Sequence, residues 1–102
     1  MTKAVQYMIT NQWNYGLIRN VTQKLSNSTS SKIILELNNE CGNLKSPISI
    51  LRLPLFINQK IRIVFLNEKE DELNRDILTL ENILKDYIKR TTTEEEKWRK
   101  QL

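Results

Sequence analysis

The 102-residue sequence contains no histidine. This excludes every catalytic arrangement built on an imidazole, the Ser-His and Cys-His nucleophile systems and most zinc sites. Cys41 is the single cysteine. No intrachain disulfide can form, which suits a reducing compartment, and Cys41 within Glu40-Cys41-Gly42 reads as an inert turn residue. With Gly16 and Gly42 as the only glycines, no phosphate-cradling loop of the GxGxxG or GxxxxGK[ST] kind exists. No apolar run approaches the roughly 18–20 residues that span a bilayer. The N-terminal MTKAVQYMIT lacks the pattern of a secretory signal, so the expected location is intracellular, cytoplasmic or nuclear. Two glycosylation-type triplets, at Asn20 and Asn27, then read as coincidence in an Asn-rich chain. The carboxylates of Glu68–Glu72 and Glu94–Glu96 have helix-capping positions and do not form a Ca²⁺-loop pattern. No catalytic residue, metal ligand, cofactor, membrane contact or small-molecule substrate is expected, and no enzyme activity.

What is present reads as one small globular domain, with 39% hydrophobic and 27% charged residues. Leu73, Ile77, Leu80, Leu84 and Tyr87 recur at steps of four and three, flanked by Leu78, Ile83 and Ile88, which predicts an amphipathic helix over Asn67 to Arg90. Asn67 with Glu70 has capping-box spacing. Acids crowd the first turn, and Lys85, Lys89 and Arg90 the last. A stripe of this kind needs a partner surface: the chain's own sheet or, failing that, a seam with a second chain.

Toward the N-terminus, Val5, Ile9, Trp13, Leu17, Val21 and Leu25 recur every fourth residue, so Lys3 to Leu25 is read as a helix. Thr10, Asn11, Asn14 and Gly16 argue for a break, and Val5, Tyr7 and Ile9 also alternate as a strand would, leading into a helix from Leu17 to Leu25. Ser26–Ser31 is a polar connection. Three strands are predicted, at Lys32–Leu37, Ile48–Leu53 and Lys60–Leu66, with a turn cluster over Asn38–Asn43 and flanking Pro47 and Pro54 marking the middle strand as an edge or as bounded by bends. The expected fold is α+β: a single domain over residues 1–90 with a helix, a three-stranded antiparallel sheet and a long helix. A tail or short helix follows over 91–102, where Thr93 and Glu96 form a second capping-box spacing.

The net charge of +4 is uneven. Eight bases meet only Glu36 and Glu40 up to Phe65, which makes +6; from Leu66 on, eight bases meet ten acids, which makes −2. If Ile33, Leu35, Ile61, Ile63 and Phe65 face the long helix, the far face of the sheet presents Lys32, Lys60 and Arg62, joined by Arg52, with Ile34 and Val64 between them. Two readings follow. The first is a non-catalytic protein-binding subunit or adaptor of a larger complex, hetero- or homo-oligomeric, contacting its partner through Trp98, Ile34, Trp13 and Tyr15; Tyr7 extends the aromatic group. The second is RNA binding through Lys32, Arg52, Lys60 and Arg62. The helix–three strands–helix order resembles in topology the double-stranded RNA-binding domain and the Alu-RNA-binding subunits of the signal recognition particle. The first resemblance implies lysines at the start of the last helix, where this chain has Glu68-Lys69-Glu70-Asp71-Glu72. The second implies recognition by the sheet face.

Overall fold

The structure, a computed structural model, describes residues 1–93. The chain runs β1 (Thr2–Ile9), α1 (Tyr15–Ser28), β2 (Lys32–Leu37), β3 (Glu40–Asn43), α2 (Pro47–Leu51), β4 (Lys60–Leu66), α3 (Glu70–Ile83) and β5 (Ile88–Thr93). It is a small α+β domain whose sheet is antiparallel throughout, in the order β3-β2-β4-β1-β5. Because β1 and β2 both run antiparallel to β4, the β1-α1-β2 crossover straddles β4. The β4-α3-β5 crossover straddles β1 in the same way. Two interleaved split βαβ units therefore build the sheet.

The predicted helix over Lys3–Leu25 is instead a strand followed by a helix. A four-residue repeat is a multiple of the two-residue strand period, so Val5 and Ile9 satisfy a strand and Val21 and Leu25 a helix with the same spacing. All four are buried, and so is Tyr7. The junction is set by Asn14, whose Oδ1 accepts from the Leu17 amide at 2.8 Å and caps α1.

The predicted strand at Ile48–Leu53 is the short helix α2. Pro47 opens it, where a missing N–H costs nothing, and Ile50 and Leu53 point into the core. The turn cluster resolves into a two-residue turn at Asn38-Asn39, with Asn38 at φ 54°, and the short strand β3. Gly42 in β3 has no room for a side chain: a Cβ there would lie 2.8 Å from the Ser49 carbonyl oxygen. Its bareness lets α2 sit directly on β3.

The long helix is shorter than its stripe. Leu73, Ile77, Leu80 and Leu84 are buried as expected, but α3 ends at Ile83 and the chain re-enters the sheet as β5. The free edge of β1 draws it there, beginning with the Thr10 amide donating to the Tyr87 carbonyl at 2.9 Å and continuing through Ile9 opposite Ile88. β-Branched Ile88, Thr91, Thr92 and Thr93 suit a strand better than a helix. β5 thus carries the sheet beyond Arg90, where a tail was expected to begin, and among the described residues the sheet has five strands rather than three. Asn67 does not cap α3; it stands two residues before the N-cap position Lys69, and its Oδ1 accepts from the Lys69 amide at 2.9 Å. The expected final helix lies outside the described residues.

Val5, Tyr7 and Ile9 of β1, Ile33, Leu35 and Leu37 of β2, and Ile61, Ile63 and Phe65 of β4 form the inner face of the sheet, all buried with the helices against them. No helix of the described residues is long and apolar enough to cross a membrane.

Candidate functional site

The alternation that buries one face of the sheet puts the other on the side away from the helices of the described residues. On this outer face the strand registers align residues in rows. Lys89 and Lys60 flank Met8 at one end. Gln6, Arg62 and Glu36 form the next row, then Ala4, Val64 and Ile34, then Thr2, Leu66 and Lys32. Lys32, Lys60 and Lys89 are exposed, while Ala4, Met8, Ile34 and Val64 are half-buried. Arg62 is paired with Glu36 and, with Gln6, Asn38, Lys60 and Ile61, lines a cleft of about 250 Å³. Arg52 is not on this face: as the residue that ends α2 it lies on the helical side.

A second surface lies at the α1–α2 end. The loop before α1 is tied to the loop after α2, with Gln12 Nε2 donating to the Leu55 carbonyl at 3.4 Å and the Asn58 amide donating to the Ile9 carbonyl at 2.7 Å. α1 and α2 touch. Along this helix pair and its loops large apolar side chains face solvent: Tyr15 at 59% exposure, Ile48 at 80% and Phe56 at 61%, with Leu51 and Ile57 also exposed. Arg19 and Arg52 are exposed nearby in sequence. Sequence reasoning assigned Ile48 to a strand and missed this group. Its signal was Ile48 and Leu51 three residues apart, with buried Ile50 between them, a spacing that puts the pair on one side of a helix.

Of the predicted partner contacts, Tyr15 is exposed at the start of α1 and Ile34 lies half-buried on the outer face. Trp13 is a core residue at 6% exposure, its Nε1 directed at the Tyr87 carbonyl at 3.5 Å, so its ring is not available to a partner. Trp98 lies outside the described residues. Tyr7, Trp13 and Tyr15 therefore do not form a surface aromatic group.

Two polar clusters tie α3 to the sheet. The buried Tyr7 hydroxyl donates to Glu81 Oε2 at 2.8 Å, and Arg90 Nε donates to the same oxygen at 2.6 Å, joining β1, α3 and β5. Burial, and then the hydrogen bond and negative charge of Glu81, push the Tyr7 pKa far above its ordinary value of about 10, with Arg90 offsetting part of the rise. The folded protein keeps this proton where the unfolded chain releases it, so the contribution is whole below pH 10 and shrinks as pH rises above it. Alkaline urea titrations are expected to show wild type losing about 1.4 kcal/mol per pH unit relative to Tyr7→Phe above pH 10. Parallel curves would remove the assignment.

The other cluster is at the start of β2. Asp76 on α3 is fully buried, and its Oδ2 accepts from the Ser31 amide at 2.7 Å and the Ser30 amide at 3.1 Å. Oδ1 has no hydrogen-bond partner among the described residues. Lys45 Nζ donates to the Thr29 carbonyl at 3.1 Å; burial lowers the Lys45 pKa, and the charge of Asp76 counters this.

No family model matches the chain, and no curated protein matches its sequence. Solved structures do match. The histidine-containing phosphocarrier protein of Mycoplasma is similar at 20% identity and a TM-score of 0.61, over 76% of this chain and 90% of that one. An HPr from Thermoanaerobacter tengcongensis is similar at 24% identity and a TM-score of 0.61, over 76% and 89% of the two chains. The phosphocarrier protein HPr of Bacillus anthracis is similar at 22% identity and a TM-score of 0.61, over 81% and 94%. These likenesses overturn the expectations of an adaptor subunit and of an RNA-binding module, because the matching folds are phosphocarriers and neither of the RNA-binding topologies compared above. At these identities what the chain shares with them is the fold: a phosphocarrier fold, carried by a sequence without the histidine for which the Mycoplasma protein is described.

Proposed function

We propose that this protein takes part in phosphoryl transfer between proteins. In this reading it engages a phosphotransfer protein transiently through the α1–α2 end and does not itself carry phosphate on an imidazole. The observation that carries the reading is the coincidence of a phosphocarrier fold over nine-tenths of the carriers' length with exposed apolar side chains on α1, α2 and the loop after α2. A carrier must dock on its donor and its acceptor in turn. Docking of that kind uses an apolar centre with a charged rim, which Ile48, Leu51, Phe56 and Tyr15 with Arg19 and Arg52 supply. The absence of histidine excludes a phosphohistidine intermediate on this chain, and the contribution proposed is competition for the proteins that a carrier meets. The partner is a protein, and the reaction site is on that partner.

The test uses purified HPr of Bacillus anthracis with the enzyme that phosphorylates it, following HPr phosphorylation by phosphate-affinity electrophoresis. Added wild-type chain is expected to slow the transfer competitively. Ile48→Asp, a change at a position 80% exposed and so harmless to the fold, is expected to abolish the effect, since burying an unpaired carboxylate in an interface centre costs several-fold or more in affinity. Transfer unaffected by an excess of wild-type chain would sink the proposal.

A further inference from the structure

The outer face of the sheet lies on the side away from the helices and is not used by the α1–α2 end. The geometry points to this face as a docking surface for an acidic, partly apolar segment of another protein, seated with one carboxylate in the cleft beside Lys60 and an apolar side chain over the Ala4–Val64–Ile34 row. Charge selects the occupant. The cleft row and the row beyond it expose Lys60 and Lys89, and the opposite end exposes Lys32. The only carboxylate in the four rows, Glu36, is already engaged by Arg62. A neutral partner would leave the ammonium groups unmatched, whereas an acidic one neutralises them and gains a faster encounter.

Spacing selects the form of the occupant. Lys32 pairs with Leu66, six residues along β4 from Lys60, which places the two cationic ends about 20 Å apart at the rise of a strand. Between them lies the half-buried row of Ala4, Val64 and Ile34. An occupant with acids at both ends and an apolar middle matches this order. A polyanion of uniform charge would set phosphates against Val64 and Ile34, and among the described residues the four rows carry no aromatic ring on which a base could stack.

The test titrates isotope-labelled protein with three probes of equal length: a synthetic peptide with glutamates at both ends and a valine-isoleucine centre, the same peptide with lysines in place of the glutamates, and single-stranded RNA. Amide shifts read the site. The acidic peptide is expected to move the amides of Met8, Arg62 and Val64, and to bind several-fold more weakly at high salt. Lys60→Glu is expected to weaken the acidic peptide several-fold and strengthen the lysine peptide. Val64→Asp, placed in the apolar row, is expected to abolish binding of the acidic peptide, and an unchanged amide spectrum elsewhere confirms that each variant is folded. Three results would overturn the inference: no shifts with the acidic peptide at low salt, shifts confined to the α1–α2 end, or RNA binding more tightly than the acidic peptide at these same amides.

Discussion

Leu80→Ala is expected to lower stability by about 2–5 kcal/mol, the range for truncating a fully buried leucine whose cavity the surroundings cannot refill. Leu80 is 0% exposed and belongs to the single cluster that α3 shares with the inner face of the sheet. A domain of this size has roughly 5–15 kcal/mol in all, so this one methyl-rich side chain decides a large part of it. In thermal unfolding, each kcal/mol corresponds to roughly 4–8 °C. Leu78 is the internal control. It sits two positions away on the same helix but is 66% exposed, and Leu78→Ala is expected to stay within about 0.5 kcal/mol. Equal melting temperatures for Leu80→Ala and wild type would mean that α3 presents a different side to the sheet.

Asp76→Ala is the second large effect, expected to cost about 2–5 kcal/mol by denaturant titration. The carboxylate satisfies the backbone amides of both Ser30 and Ser31; a buried N–H such as that of Ser31 left without an acceptor costs about 1–3 kcal/mol, and the part-buried Ser30 bond adds to it. Ser31 is itself buried, so water does not readily replace the lost acceptor there. Asp76→Asn keeps an oxygen acceptor in the same place and is expected to lose less than alanine does. If alanine and asparagine proved equally mild, the clamp on the entry to β2 would be a contact without energetic weight. The cluster also accounts for a carboxylate in the middle of a helix, away from the helix starts where the sequence reading found a use for acids.

Several parts of this architecture were legible residue by residue. The strands at Lys32–Leu37 and Lys60–Leu66 matched their alternation to the residue, because each buries one face and leaves the other wet. The placement of Lys32, Lys60 and Arg62 on the face away from the helices followed from the same alternation. Two kinds of element were not legible. Ile48–Leu53 has strand-like composition, yet its first part is helical and lies on β3 where Gly42 has a bare backbone, a contact between two segments that no local pattern shows. Ile88 continues the helical stripe as well as it begins a strand, and the deciding factor was the unpaired edge of β1, whose own identity as a strand was ambiguous. One uncertainty therefore produced the other: reading Lys3–Ile9 as helix removed the edge that β5 needed. The candidate site suffered in the same way, since Ile48 could be recognised as exposed only once α2 was a helix, and Trp13 as buried only once its loop was tied to Tyr87.

The sequence by itself determined the chemistry that is absent and the identity of the core. A chain without histidine cannot hold phosphate on an imidazole whatever its fold, and the apolar residues spaced for burial are, with few exceptions, the buried ones. Tertiary structure alone decided which of those residues became strand and which helix, how many strands the sheet has, and where apolar side chains were left in water. The physical reason is that burial is written into composition and spacing, whereas pairing energy is realised only when a distant strand edge or a bare backbone is there to receive the segment.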